Sequence, residues 1–301
     1  MALRLVAFDM DGVIYRGATL LPQVGPALQG VLDRGLLLRY VTNNSSQHRS
    51  TVAVRLAGFG LPSSPDMILT SGAAAALWMV EQVGRGSEVL VIGGDGLVEE
   101  LREVGLSPLH AVHMLAEANG GVAALPGSPE SVEAAMHVTH ALTAAPPAAV
   151  VVGLDRSFTY GTLCLGQAAV MAGALFVATN TDSTFPAEGR LLPGGGSLVA
   201  AVATASGRQP VVIGKPEREM ADQLARSAGV EAREVLFVGD RLDTDIRWAR
   251  RAGMHSALVL TGVSQAADVE RARHEGREED VPEYVLRDLS ELAGLLDGLQ
   301  G

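Results

Sequence analysis

Leu3-Arg4-Leu5-Val6-Ala7-Phe8-Asp9-Met10-Asp11-Gly12-Val13 is the stretch on which the reading of this chain turns. Leu3 to Phe8 is an apolar run of strand length, and two carboxylates two residues apart follow it before a glycine. A carboxylate at the mouth of a buried strand is costly to desolvate unless a cation or hydrogen bonds hold it. A solvated turn would account for two acids more simply. Open α/β sheets, however, place their ligand crevices at the carboxyl ends of their strands. The stretch therefore predicts a metal-assisted nucleophile, provided that other strands deliver its partners.

Composition narrows the field. A length of 301 residues favours two domains, and 48% hydrophobic with 19% charged residues suits a soluble chain with a sizeable core. The net charge is -11 and no Lys/Arg-rich run occurs, which argues against nucleic acid and acidic membrane surfaces as partners. No apolar run approaches the roughly 20 residues of a membrane span. Asp9 and Asp11 interrupt what would be an export signal, and the single cysteine, Cys164, excludes an internal disulfide. The expected location is the cytoplasm. Cys164 lies in L-C-L-G-Q-A-A-V, which reads as helix core and not as a nucleophile.

Of the 23 basic residues only Lys215 is a lysine. A bias toward arginine that spares one position suggests a task for which a guanidinium is unsuited. A compact ammonium on a flexible stem serves a phosphate as a point charge, and arginine is not its equivalent.

Outward from the first strand, helices and strands alternate, which predicts an α/β fold with a doubly wound, Rossmann-like parallel sheet. Leu36 to Val41 reads as a strand that ends in Thr42-Asn43-Asn44-Ser45-Ser46. That run suits a helix N-cap, and a hydroxyl with backbone amides at a helix start also makes an anion site. Val211 to Ile213 reads as a strand delivering Gly214-Lys215-Pro216, and Val235 to Val238 as one ending in Gly239-Asp240-Arg241-Leu242-Asp243-Thr244-Asp245. Gly93-Gly94-Asp95-Gly96 lacks the G-x-G-x-x-G spacing of a dinucleotide site. His137 and His140 are spaced for one helix face, without a third ligand; His110 and His113 read likewise as surface or packing residues. Residues 105–147 say least. Pro193-Gly194-Gly195-Gly196-Ser197 reads as a joint.

Four strands are thus expected to end in polar groups on one edge: Asp9 and Asp11, Thr42 and Asn43, Lys215, and Asp240 with Asp243 and Asp245. Carboxylates of this number suit Mg²⁺. With a hydroxyl, amides and one ammonium they suit phosphoryl transfer, where positioning and charge neutralisation dominate.

Asp9-Met10-Asp11-Gly12-Val13, Thr42-Asn43-Asn44, Gly214-Lys215-Pro216 and Gly239-Asp240 with Thr244-Asp245-Ile246 resemble the four motifs of the haloacid dehalogenase superfamily of phosphatases. Val152-Gly153-Leu154-Asp155, Ala178-Thr179-Asn180-Thr181-Asp182 and Pro193–Ser197 resemble its NagD-like, 4-nitrophenylphosphatase branch. That resemblance implies a core of residues 1–72 and 190–301 and an inserted α/β cap of residues 73–189. It implies Asp9 as nucleophile forming an aspartyl-phosphate and Asp11 as general acid and base. It places Mg²⁺ on Asp9, Asp240 and the backbone carbonyl of Asp11, with Asp245 in support. Thr42, Asn43, Asn44 and Lys215 would hold the phosphoryl oxygens. The loop from Asn180 to Pro186 would face the leaving group, and a homodimer would form through the cap. The substrate would be a small phosphate ester. A phosphotransferase or mutase, and a module that has lost its chemistry, are the alternatives. A dehalogenase has no use for Asp11 or a magnesium site, and a receiver-type signalling domain would be shorter.

Overall fold

The computed structural model describes residues 3–121, 128–187 and 190–300, so parts of the 105–147 stretch and of the expected cap boundary at 189 lie outside the described residues. In chain order the strands begin with β1 (Leu5–Phe8), β2 (Tyr15–Arg16), β3 (Thr19–Leu20), β4 (Leu37–Thr42) and β5 (Ile68–Thr70). They continue with β6 (Glu88–Ile92), β7 (Ser107–His110), β8 (Ala149–Val152), β9 (Leu175–Ala178), β10 (Thr184–Ala187), β11 (Arg190–Pro193) and β12 (Val211–Val212). The remaining strands are β13 (Val235–Gly239), β14 (His255–Val259) and β15 (Tyr284–Leu286).

The chain divides into two compact units. One comprises Met1–Thr42, Arg49–Thr70 and Lys215–Gly301; the other comprises Asn43–His48 and Ser71–Gly214. The first unit is built on a six-stranded parallel sheet in the order β15-β14-β13-β1-β4-β5. β1 is central, with Leu5 opposite Val235 on one side and Leu37 on the other. All four of its residues are buried, as helices on both faces of a parallel sheet require. Phe8, Leu28, Tyr40 and Val238 are fully buried in the core around it. Successive connections leave β1 toward β4 and β5, then return to the other side at β13. The switch point, where such sheets open a crevice, therefore lies between the carboxyl ends of β1 and β13.

The second unit has its own parallel sheet, in the order β12-β9-β8-β6-β7. Leu90, Ile92, Val150, Val152, Leu165 and Val202 form its buried core. The polar stretch after β9 contains an unforeseen antiparallel hairpin, β10 with β11.

Two sequence expectations change. β12 does not join the sheet of β1; it pairs with β9, so Lys215 leaves the second unit's sheet before entering the first unit. Two residues of strand are too few to reveal which sheet they will extend. The Gly194–Gly196 run is no joint between units: helix Gly195–Ser206 packs in the second unit's core through Val199, Val202 and Ala203. A Cβ at Gly194 or Gly196 would run into the backbone of Asp182 or Thr181, so close approach explains the glycines.

Candidate active site

Three neighbouring strands of the first unit end in polar side chains. Asp9 follows β1 and donates its N–H to Val238 O at 2.8 Å. Asp240 follows β13, and the buried Thr42 ends β4 on the opposite side of β1. The edge that the sequence pattern required is therefore formed by β13, β1 and β4.

Lys215 supplies the fourth group although no strand of this sheet carries it. It is 2% exposed, and Nζ donates to Asp9 Oδ1 at 2.6 Å and to Asp245 Oδ1 at 2.7 Å. Its ammonium also lies 5.1 Å from the centroid of the Phe237 ring. Burial works against this charge, but Asp245 and Asp9 outweigh it and hold Lys215 above the ordinary lysine range.

Asp245 is turned inward by a wide helical turn over Leu242–Ile246. Its Oδ2 accepts the N–H groups of Asp240 and Arg241, each at 3.1 Å. Its two oxygens are thus engaged by Lys215 and by the loop that presents Asp240. Asp243 instead pairs with Arg241 at 2.9 and 3.1 Å and is exposed.

Asp240 is oriented by a segment whose role sequence reasoning missed. Val263 N–H donates to Asp240 Oδ2 at 2.7 Å, and Ser264 N–H donates to Asp240 O at 3.0 Å. A Cβ at Gly262 or at Gly12 would overlap the Asp240 carboxylate. A glycine just beyond the end of β14 was the available signal. Arg55, also missed, stacks 3.9 Å above the Tyr15 ring and is the stronger of two cations that act to lower the Asp11 carboxyl.

Oxygens of Asp9, Asp240 and Asp245 lie within 4.8 Å of one another. Three carboxylates against one ammonium leave two negative charges in a largely dehydrated place. Burial pushes Asp9 well above the ordinary carboxylate range, with Lys215 pulling it back and Asp245 and Asp240 adding to the rise. Burial and then Asp245 push Asp240 up to about 7. Asp11 reaches solvent, yet the protein around it thins its hydration enough to raise its carboxyl, against Arg55 and Lys215. Asp9 Oδ2 and Asp240 Oδ1 receive no hydrogen bond from the described residues. Hard, unengaged oxygens beside an excess of negative charge fit a divalent cation.

Asn43 and Asn44 belong to the second unit. Asn43 Nδ2 donates to Asp182 Oδ2 at 3.1 Å, and Asn44 Oδ1 accepts from Ser46 N–H at 2.9 Å and Ser46 Oγ at 2.7 Å. His110 and His113 stack with ring centroids 4.5 Å apart; neither they nor His137 and His140 enter a three-residue metal-binding group among the described residues.

An acid pair and a buried ammonium at the switch point of a parallel α/β sheet, with a hydroxyl at the end of the neighbouring β4, suit phosphoryl transfer, and the relatives are hydrolases of phosphate monoesters. Comparison agrees: the family model described as haloacid dehalogenase-like hydrolase matches residues 6–107, and one described as HAD-hydrolase-like matches residues 212–292. Glycerol-3-phosphate phosphatase of Gallus gallus is 35% identical over 298 residues, covering 96% of this chain and 91% of the relative. The p-nitrophenyl phosphatase from Archaeoglobus fulgidus superposes with a TM-score of 0.80 at 27% identity, covering 98% of this chain and 100% of that one. Glycerol phosphate phosphatase from Mycobacterium tuberculosis in complex with magnesium gives a TM-score of 0.78 at 33% identity, covering 98% of this chain and 78% of that one. It has also been solved with calcium. The chain belongs to the haloacid dehalogenase-like hydrolases. Among the described residues no helix is long and apolar enough to cross a membrane.

Proposed function

We propose that this enzyme is a Mg²⁺-dependent phosphomonoesterase that works through an aspartyl-phosphate on Asp9. The observation that carries this reading is the position of Asp9 at the switch point, held by Lys215 at 2.6 Å, with its second oxygen receiving no hydrogen bond from the described residues. Asp9 Oδ2 attacks phosphorus, and the ester oxygen leaves with a proton from Asp11. Asp11, now a carboxylate, takes a proton from water, which cleaves the acyl-phosphate and frees Asp9. Splitting one displacement into two is the gain of covalent catalysis. A raised Asp11 carboxyl suits a group that must first give a proton and then accept one.

Mg²⁺ would be held by the side chains of Asp9 and Asp240 and the carbonyl of Asp11, with Asp245 holding the loop of Asp240 in place. When bound, the cation neutralises the charge of the transferring group and of the acids around it. Lys215 stays charged throughout and neutralises a phosphoryl oxygen. Thr42 and, next along the chain, the backbone N–H of Asn43 donate to the others; Asn44 supports that loop. Residues of the second unit would form the cap. The relatives' names point to small phosphate esters, with glycerol 3-phosphate first in a substrate panel. The deciding experiment is phosphate release from 4-nitrophenyl phosphate with and without Mg²⁺, in the wild type and in Asp9→Asn. The expected result is metal-dependent turnover, lost by more than about a thousandfold in the variant. Comparable turnover by Asp9→Asn would overturn the mechanism.

A further inference from the structure

Asn43 is fixed from several directions. Its carbonyl accepts from Asn180 Nδ2 at 2.7 Å and from Ser71 Oγ at 2.6 Å, while its own Nδ2 donates to Asp182 Oδ2 at 3.1 Å. Its Oδ1 lies against Gly214, where a Cβ would come within 2.7 Å. Gly214 N–H donates to Thr179 O at 2.8 Å. Asn180 is 5% exposed, and its Oδ1 accepts from Asp182 N–H at 3.1 Å, so its amide is oriented as well as buried.

All these residues belong to the second unit, yet Asn43, Ser71 and Gly214 are points where the chain enters or leaves it. Their covalent neighbours Thr42, Thr70 and Lys215 lie in the first unit. Two of the four crossings, at Asn43 and Gly214, therefore meet on the short loop Thr179–Asp182, and a third, at Ser71, is tied to it through Asn43. Two of the neighbours, Thr42 and Lys215, are the phosphoryl ligands of the proposed reaction. A displacement of about 1 Å in such groups costs on the order of a hundredfold in rate.

Resting on that reading of Thr42 and Lys215, we infer that Asn180 and Asp182 are positioning residues for phosphoryl transfer. They act through Asn43, fixing the points from which Thr42 and Lys215 depart. On this inference the side chains of Asn180 and Asp182 serve the crossings, whereas the family resemblance implied that the loop from Asn180 to Pro186 would face the leaving group.

The test compares Asp182→Ala, Asp182→Asn, Asn43→Ala, the double variant Asn43→Ala/Asp182→Ala, and Asn180→Ala. Each is assayed with 4-nitrophenyl phosphate for kcat and KM, with inorganic phosphate as competitive inhibitor, and for the Mg²⁺ concentration at half-activation. Asp182→Ala is expected to raise KM and the phosphate inhibition constant in parallel, by about tenfold, at an unchanged Mg²⁺ requirement. Asp182→Asn keeps an accepting oxygen and restores both to within about twofold of wild type. The double variant is no worse than Asn43→Ala alone, because Asp182 acts through the side chain already removed. Asn180→Ala is expected to lose more; if that buried variant does not fold, the Asp182 series decides. Unchanged constants in Asp182→Ala, an Asp182→Asn as impaired as the alanine, or additive losses in the double variant each overturn the assignment. A wild type that neither cleaves the ester nor is inhibited by phosphate overturns the reading of the site, and this assignment with it. That result is distinguishable because the unmodified enzyme itself is silent.

Discussion

Lys215 donates to Asp9 Oδ1 at 2.6 Å across 206 residues of sequence, which brings the only ammonium side chain of the protein against the carboxylate at the centre of the sheet. Lys215→Arg should lower kcat/KM by at least about a hundredfold, since a planar guanidinium is no substitute for a point charge in a site only 2% exposed. Steady-state kinetics on 4-nitrophenyl phosphate measures this; near-normal turnover would remove the significance of the solitary lysine.

Divalent metal should stabilise the fold as well as activate it. Mg²⁺ at about a hundred times its dissociation constant is expected to add about 2.7 kcal/mol to the unfolding free energy, seen as a rise in Tm in thermal melts. Asp240→Asn should reduce that rise sharply, while EDTA abolishes turnover in the wild type. A melt indifferent to Mg²⁺ would contradict the fit of Asp9 and Asp240 to a cation.

Gly262→Ala should impair the enzyme although Gly262 has no side chain to lose. Its new Cβ would overlap the Asp240 carboxylate, which Val263 N–H holds at 2.7 Å. The expected result is a loss of at least about tenfold in kcat/KM with a raised Mg²⁺ requirement. Measuring activity against Mg²⁺ concentration separates this from simple unfolding.

The central edge was legible because β1 and β13 are apolar runs that end abruptly in acids, and that contrast survives in a linear string. Asp9, Asp240 and Thr42 accordingly stand where the alternation of strands and helices put them. The partnership of β12 was not legible. Val211 and Val212 look alike whichever sheet they extend, and only pairing with Val177 and Ala178 decides. The grip of Val263 on Asp240 was hidden for another reason: a backbone N–H leaves no trace in residue type. Gly194–Gly196 misled because glycine marks both flexible joints and close packing, and here the backbone of Thr181 and Asp182 fills the space. The hairpin of β10 and β11 was obscured by the polar residues that lead into it.

Away from the site, Asp280 makes a pH-dependent contribution to stability. It is fully buried and accepts from Arg247 at 2.7 and 2.9 Å and from Arg277 at 2.5 Å. Burial pushes its carboxyl up, but the two guanidinium groups outweigh this and hold it below the ordinary carboxylate range. A depressed carboxyl stabilises the fold above its unfolded value of about 3.9 and loses that contribution as pH falls through the lower folded value. Asp280→Asn should therefore cost about 2 kcal/mol at pH 7, a discounted figure because Arg247 is partly exposed. The difference from wild type should stay flat down to about pH 5 and shrink below pH 4. Urea denaturation at several pH values checks both statements.

The strand order β13-β1-β4 also dictates a timetable for biosynthesis. Asp9 emerges from the ribosome long before Lys215 and Asp245, its counter-ion and that counter-ion's second anchor. One edge of β1 stays unpaired until β13 has been translated. The intervening segment, Ser71–Gly214, contains every strand of its own sheet and can complete that sheet first. The nascent enzyme thus carries an open strand edge, and Asp9 without its lysine, through roughly two thirds of its synthesis, since 206 residues separate the pair in a chain of 301; in that period a chaperone would find the hydrophobic face of β1 exposed.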